Sequence, residues 1–500
     1  MIVVYILNVI NFVLCLFYLE KFLHIFQCKD YKILRFLKYF SKKDAFFIVF
    51  YVFFLILQII FDYFIFLICS QILLIFINSI YISTLITTNK TPLKFTGKVK
   101  RLYIISAVLL APWCVFSFGT SAMMLLLFAM PALSNFINFY DKIKNKKYIK
   151  NASLKLANSN AVKIAITGSN GKTSVKNILY QILSSKYNTL KTPASFNTPL
   201  GISKFINENL TDNCEFIILE YGARHKNDIQ NLCNIFGADY GIITTVAPQH
   251  LESFKSLQNV CIAKSKLSSY LDNNYCIYNI DNLCCKRMYN NKIGKKVSTS
   301  IHEKADVYAS EINIENFKTY FKLHTNNKTY NVSTSLLGRH NISNILQATA
   351  LALSFDVDIK EIIQTIKDLK PTSHRLEYIK SHINILDDSY NCSIISAKES
   401  LYVLQQTNYK KMVVTPGIIE GGKKEYELNF KLGKMCAFCD YVVIVGNHNK
   451  QAITEGLKSK NYDIKKICYS PTLEDAKKYF TLLSDNDTLL LLNDLPDDYK

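Results

Sequence analysis

The run Thr167-Gly168-Ser169-Asn170-Gly171-Lys172-Thr173-Ser174 holds the residue types that a polyphosphate needs. Two glycines let the backbone curl so that its N–H groups converge on anionic oxygens, and a lysine adds a point charge for the outer phosphates. The hydroxyl of Thr173 or Ser174 can ligate Mg²⁺. An apolar, β-branched run (residues 162–166) precedes the turn, and a helix-compatible run (174–179) follows it. That is the strand–loop–helix setting in which a helix N-terminus adds its positive dipole end. The first glycine sits closer to the Gly-Lys pair than the common G-x-x-x-x-G-K-[ST] spacing asks. The plain alternative is a chance glycine turn after a buried strand, and the context weighs against it.

The elements that must position this loop are visible around it. From residue 162 onward, strand-like runs such as Phe216-Ile217-Ile218-Leu219, Tyr240-Gly241-Ile242-Ile243 and Tyr441-Val442-Val443-Ile444-Val445 alternate with helical stretches. Such alternation predicts α/β architecture with mostly parallel sheets and crossover helices. Lys370-Pro371-Thr372-Ser373 follows a helical stretch and precedes a new strand pattern, so it marks an internal boundary. The expectation is a P-loop central domain at 155–371 and a Rossmann-like C-terminal domain at 372–500.

The N-terminal part reads differently. The chain has 500 residues and a formal charge of +20. Of this charge, +12 falls in residues 1–150, where the lysines flank apolar segments. This pattern points to membrane topology and not to nucleic acid. Residues 2–18, 45–86 and 103–140 are free of Lys and Arg. The second run would make ~63 Å of helix, about twice a hydrocarbon core, so it counts as two spans. The expectation is an α-helical multi-pass membrane domain at 1–140 with five spans, or four if residues 2–18 are too short. Its N-terminus would lie outside and the rest of the chain in the cytoplasm, with the bilayer as a partner. The 14 cysteines are scattered. Reduced thiols are the simplest account, and Cys436-x-x-Cys439 reads as two core positions.

Several patterns in order resemble the Mur ligase family of peptidoglycan synthesis, closest to its D-alanyl-D-alanine-adding branch. Residues 167–174 look like the shortened P-loop of that family. Asn197-Thr198-Pro-Leu-Gly201 is similar to its substrate-proximal loop. Glu220-Tyr-Gly-Ala223, His250-Leu-Glu-Ser-Phe254 and Ala263-Lys264 follow its order, as do Gly338-Arg-His-Asn-Ile-Ser-Asn344 and His374-Arg375. Asp387-Asp-Ser-Tyr-Asn391 is the most diagnostic piece for the branch.

The resemblance implies an ATP-dependent, ADP-forming carboxylate–amine ligase that works through an acyl phosphate. Lys172, Lys264 and His250 would be catalytic. ATP would be held by Gly168, Ser169, Asn170, Gly171, Lys172, Thr173, Ser174, Asn344, Arg375, Asp388, Tyr390 and Asn391. Asn197 and Thr198 would approach the acceptor. Two Mg²⁺ sites are implied, drawing on Thr173, Glu220, His250 and Lys264, the last as a carbamate that turns a cation into an anion. The implied partners are a peptidoglycan precursor, D-Ala-D-Ala or a similar amine, and cell-wall synthesis proteins at the membrane.

Four features depart from the family. Apolar segments stand where a uridine-binding domain is usual, Lys266 replaces a frequent Glu, residues 492–499 replace a Lys-Gly-Ser-type turn, and residues 415–422 replace the usual Gly-Asp-Met region. The last two concern the choice of amine. A ligase acting on a lipid-linked precursor or adding another amino acid is the runner-up. A nucleotide-driven transporter and a non-catalytic scaffold are the readings from other classes.

Overall fold

The computed structural model describes residues 2–28, 31, 72, 93, 95–115, 122–193, 196–248, 251–390, 392–419 and 422–493. They form two compact units, residues 1–146 and 147–500. The first holds helices α1 (Ile2–Cys28) and α2 (Gly97–Val115), which pack on each other, and the start of α3 (Ala122–Ala157). Leu19, Phe22, Leu23 and Phe26 of α1 and Val99 and Leu102 of α2 are fully buried.

Among the described residues no helix is long and apolar enough to cross a membrane. This corrects the expected membrane domain at 1–140, and with it the multi-pass membrane localisation and the bilayer as a partner. The sequence runs were counted between charges, but the helices do not coincide with them. Helix α2 opens with Lys98, Lys100 and Arg101, which leaves residues 102–115 uncharged. That stretch makes about 21 Å of helix against a core of about 30 Å. Helix α1 carries Glu20 and Lys21, and α3 carries Asp141, Lys142, Lys144, Lys146 and Lys147 in its second half. The spans expected within 45–86 lie, Ile72 apart, outside the described residues.

The second unit is built on two sheets. The first is nine-stranded among the described residues, and the first of its strands in the chain, β1 (Val162–Thr167), is third from one edge. Strand β1 lies between β3 (Phe216–Glu220) and β4 (Tyr240–Ile243), parallel to both. Ile164, Ala165 and Ile166 are fully buried, as a strand covered on both faces requires. Strand β2 (Thr189–Lys191) flanks β3. Beyond β4 run β5 (Cys276–Asn279), β6 (Lys296–Ser300) and the antiparallel set β7 (Val307–Glu315), β8 (Lys318–Thr325) and β9 (Lys328–Thr334).

Helix α4 (Lys172–Leu183) follows β1 directly. Its Val175, Ile178, Leu179 and Ile182 recur at helical spacing and bury one stripe on the sheet. The other face is covered by α5 (Pro199–Asn209), α6 (Asp228–Phe236), α7 (Leu251–Phe254), α8 (Leu257–Leu271) and α9 (Leu283–Asn291). Helix α10 (Arg339–Leu353) is alanine-rich and buried along most of its length, so it packs closely against α4. Helix α11 (Ile359–Lys367) completes this layer.

The second sheet has six strands among the described residues. Strand β10 (Glu377–Lys380) is an antiparallel edge to β11 (Asn384–Asp388). Next to β11 lie β15 (Thr488–Leu492), β12 (Lys411–Thr415), β13 (Tyr441–Val445) and β14 (Ile467–Ser470), all parallel. Helices α12 (Ile394–Gln405), α13 (Glu425–Cys436) and α14 (Lys450–Lys458) share one core, in which Cys436 and Cys439 are buried. Between the sheets, Phe317 at the β7–β8 turn stacks on Tyr378 of β10, with ring centroids 4.1 Å apart.

Candidate active site

The turn between β1 and α4 takes a shape that only glycine permits at two points. Gly171 sits at φ +83°, and a Cβ there would lie 2.6 Å from Asn344 Oδ1. Gly168 has φ +150°, and its Cβ would meet Thr244 Oγ1 at 1.9 Å. The loop is pinned from the end of β4. Ser169 N donates to Thr245 O at 2.6 Å, and Ser169 Oγ donates to Ala247 O at 3.0 Å. Asn170 N donates to Thr245 Oγ1 at 3.2 Å, and Thr244 Oγ1 donates to Asn170 O at 2.5 Å.

Those bonds satisfy two loop N–H groups. The anion-seeking donors are therefore those of the first turn of α4, whose N-cap Gly171 brings no side-chain cap. Lys172 Nζ folds back over the loop onto Gly168 O and Ser169 O at 2.8 and 2.9 Å. Burial pushes its pKa below the usual lysine range, an effect that Glu220 opposes. Ser174 is buried in the same turn.

At the C-terminal end of β3, Glu220 is 2% exposed. Its Oε2 accepts from Thr173 Oγ1 and from Lys176 Nζ, each at 2.9 Å, and its Oε1 accepts from Asn197 Nδ2 at 3.2 Å. Burial alone would raise this carboxyl, but Lys176 and Lys172 outweigh it and hold it below the usual range. Strand β1 pairs Ile166 with Glu220, which sets the carboxylate beside the mouth of the loop.

Lys264, on α8, is 3% exposed, and burial with the nearby charge of Lys172 lowers its pKa to about 7. Asn344 and Asn341 lie in the first turns of α10, with Asn344 against Gly171. Arg375 lines a cleft with Ser174, Asn177, Asn341 and Thr372, and its guanidinium lies 4.4 Å over the Tyr390 ring. His250 and Asn391 lie outside the described residues.

Other expected residues are occupied elsewhere. Thr198 is the N-cap of α5 and accepts from Gly201 N at 3.3 Å. Asp388 is buried and accepts from Ser400 Oγ at 2.5 Å, within the C-terminal core. Tyr390 is 56% exposed. Three participants escaped the sequence reading: Thr244, Thr245 and Lys176. The threonines close a strand next to β1, and Lys176 is four residues past Lys172 on one helical face, a spacing that could have pointed to it.

The donor set suits a hard cation, since a hydroxyl and a carboxylate meet beside a phosphate cradle and Mg²⁺ needs few protein ligands. Among the described residues no group of three His, Cys, Asp or Glu is placed to hold a metal ion.

Residues 166–352 match the family model for the Mur ligase middle domain. The chain is 31% identical over 323 residues to the UDP-N-acetylmuramoyl-tripeptide–D-alanyl-D-alanine ligase of Buchnera aphidicola subsp. Baizongia pistaciae, covering 60% of this chain and 70% of that one. It is 31% identical over 294 residues to the protein of that name from Escherichia coli K12, covering 57% and 65%. The crystal structure of MurF from Acinetobacter baumannii is similar with a TM-score of 0.63 at 26% identity, over 70% of this chain and 77% of that one.

Proposed function

The chain belongs to the Mur ligase family, and on that premise we propose that it adds D-Ala-D-Ala to UDP-N-acetylmuramoyl-tripeptide through an acyl phosphate. It is an ATP-dependent, ADP-forming ligase that makes an amide bond. The substrates are those in the names of its relatives. The observation that carries the reading is the joining of Lys172, Thr173 and Glu220 at one loop mouth, with Lys264 buried nearby.

In this reading residues 155–371 bind ATP, and residues 372–500 bring Arg375, Asp388, Tyr390 and Asn391 to it. Lys172 leaves its own loop carbonyls and takes the outer phosphates, where charge builds as the phosphoryl group moves to the acceptor carboxylate. The α4 first turn holds the inner phosphate oxygens with its N–H groups. Thr173 and Glu220 would hold the first Mg²⁺, and His250 with carbamylated Lys264 the second. When bound, these ions neutralise phosphate charge and polarise phosphoryl oxygens. The lowered basicity of Lys264 supports the carbamate, because only the neutral amine attacks CO₂. Asn197 steadies Glu220 while Thr198 starts the helix behind it. The amine then attacks the activated carbonyl and phosphate leaves.

Incubating the full chain with ATP, Mg²⁺, bicarbonate, D-Ala-D-Ala and UDP-muramoyl-tripeptide should release ADP and give a pentapeptide product by mass. Turnover only with a lipid-linked acceptor or another amine would keep the chemistry and move the substrate. Residues 415–422 favour that second reading for the amine. Silence with every acceptor would sink both.

A further inference from the structure

Lys176 has no part in the reaction as drawn above, yet it is fully buried and its Nζ lies 2.9 Å from Glu220 Oε2. That same oxygen accepts from Thr173 Oγ1. The carboxylate oxygen that would meet Mg²⁺ therefore already carries a cation. A buried carboxylate without a partner is costly, so the ion-free protein needs a positive charge at this point. Lys176 reaches it from α4, one helical turn past Lys172, while Asn197 fixes the other carboxylate oxygen.

Two cations on one oxygen repel, so the ammonium and a divalent ion are alternatives for Glu220 Oε2. We propose that Lys176 is an internal stand-in for the divalent cation, which Mg²⁺ must displace from Glu220 before Thr173 and Glu220 can hold it. This rests on the reading that those two residues bind Mg²⁺. Lys176 is thus a positioning residue. It holds the Glu220 carboxylate in position, and it sets the Mg²⁺ concentration at which the site fills.

The test uses the full chain and MgCl₂ without nucleotide, read by calorimetry and by the rise in Tm. Lys176→Met removes the competitor at nearly constant volume. Half-saturation should move to lower Mg²⁺ by about one to three powers of ten, the scale of a like charge at contact distance. The variant should start with a lower Tm than the wild type and gain more from Mg²⁺. Lys176→Arg keeps the charge and should bind Mg²⁺ no more tightly than the wild type. It serves as the folded control if Lys176→Met does not fold, and tighter Mg²⁺ binding by the arginine variant would overturn the proposal. So would unchanged or weaker Mg²⁺ binding in Lys176→Met. Glu220→Gln separates the two layers. If it leaves Mg²⁺ binding intact, the metal reading itself fails. If it abolishes binding while Lys176→Met changes nothing, only the stand-in role fails.

Discussion

The phosphate loop and residues 387–390 are both candidate ATP contacts, yet they are held by different means. In the loop Ser169, Asn170 and Thr173 are tied to neighbouring elements, through Thr244, Thr245, Ala247 and Glu220. In the second segment Asp388 turns inward to Ser400, and Tyr390 is exposed with the Arg375 guanidinium on its ring. The loop is pinned by the elements beside it, whereas the second segment follows β11 on a separate sheet and presents an exposed tyrosine. The difference is expected where closure of two domains completes a site.

The strongest way to break this contrast is at the preorganised half. Lys172→Ala should cost at least about 10²-fold in kcat/KM, as for removal of one fixed charge-stabilising group. Its Tm should stay near wild type, because among the described residues Nζ bonds to its own loop. Steady-state ADP release and thermal unfolding check both, and a large loss of Tm would make this lysine structural. Gly171→Ala should come next. Its Cβ would press on Asn344 at a positive φ, costing about 1–3 kcal/mol. Nucleotide binding measured by calorimetry should fall with it, and a fully stable, ATP-binding variant would show that the loop is not preset.

The C-terminal half should respond more gently. Removing the Tyr390 ring takes away a cation–π contact of about 0.5–1 kcal/mol, so Tyr390→Ala should raise the KM for ATP only about two- to fivefold. A hundredfold rise would put this segment on a par with the loop.

Asp388 gives the smallest effect, and it depends on pH. Burial pushes its carboxyl above the usual range, with the Ser400 hydroxyl opposing. An acid raised in the folded state adds stability below its unfolded pKa, and that stability is lost as pH rises through the folded pKa. Asp388→Asn keeps an acceptor for Ser400, so it should melt slightly above wild type at neutral pH and lose that margin in acid. Melting curves from about pH 4 to 8, a range that brackets carboxylate titration, compare the two. Equal midpoints throughout would mean that burial does not govern this group.

Legibility followed sequence distance. The phosphate loop was readable because glycine, lysine and hydroxyl lie within eight consecutive residues whose conformations are locally set. The parallel strands were readable because β1, β3, β4 and β13 are apolar runs bounded by turns. The membrane spans were misread because a run without charges does not say where a helix starts. Helix α2 begins five residues before its apolar part, on Lys98, Lys100 and Arg101.

The chain by itself determined the glycine–lysine–hydroxyl loop after β1 and the carboxylate that ends β3. Each is a local string whose chemistry follows from residue type and spacing. Only the tertiary structure decided which cation sits on Glu220, which threonines lock the loop and where Asp388 points. Lys176 and Glu220 are 44 residues apart and meet because β1 carries α4 alongside β3. A buried charge takes the partner that packing brings within reach, and no local pattern records that choice.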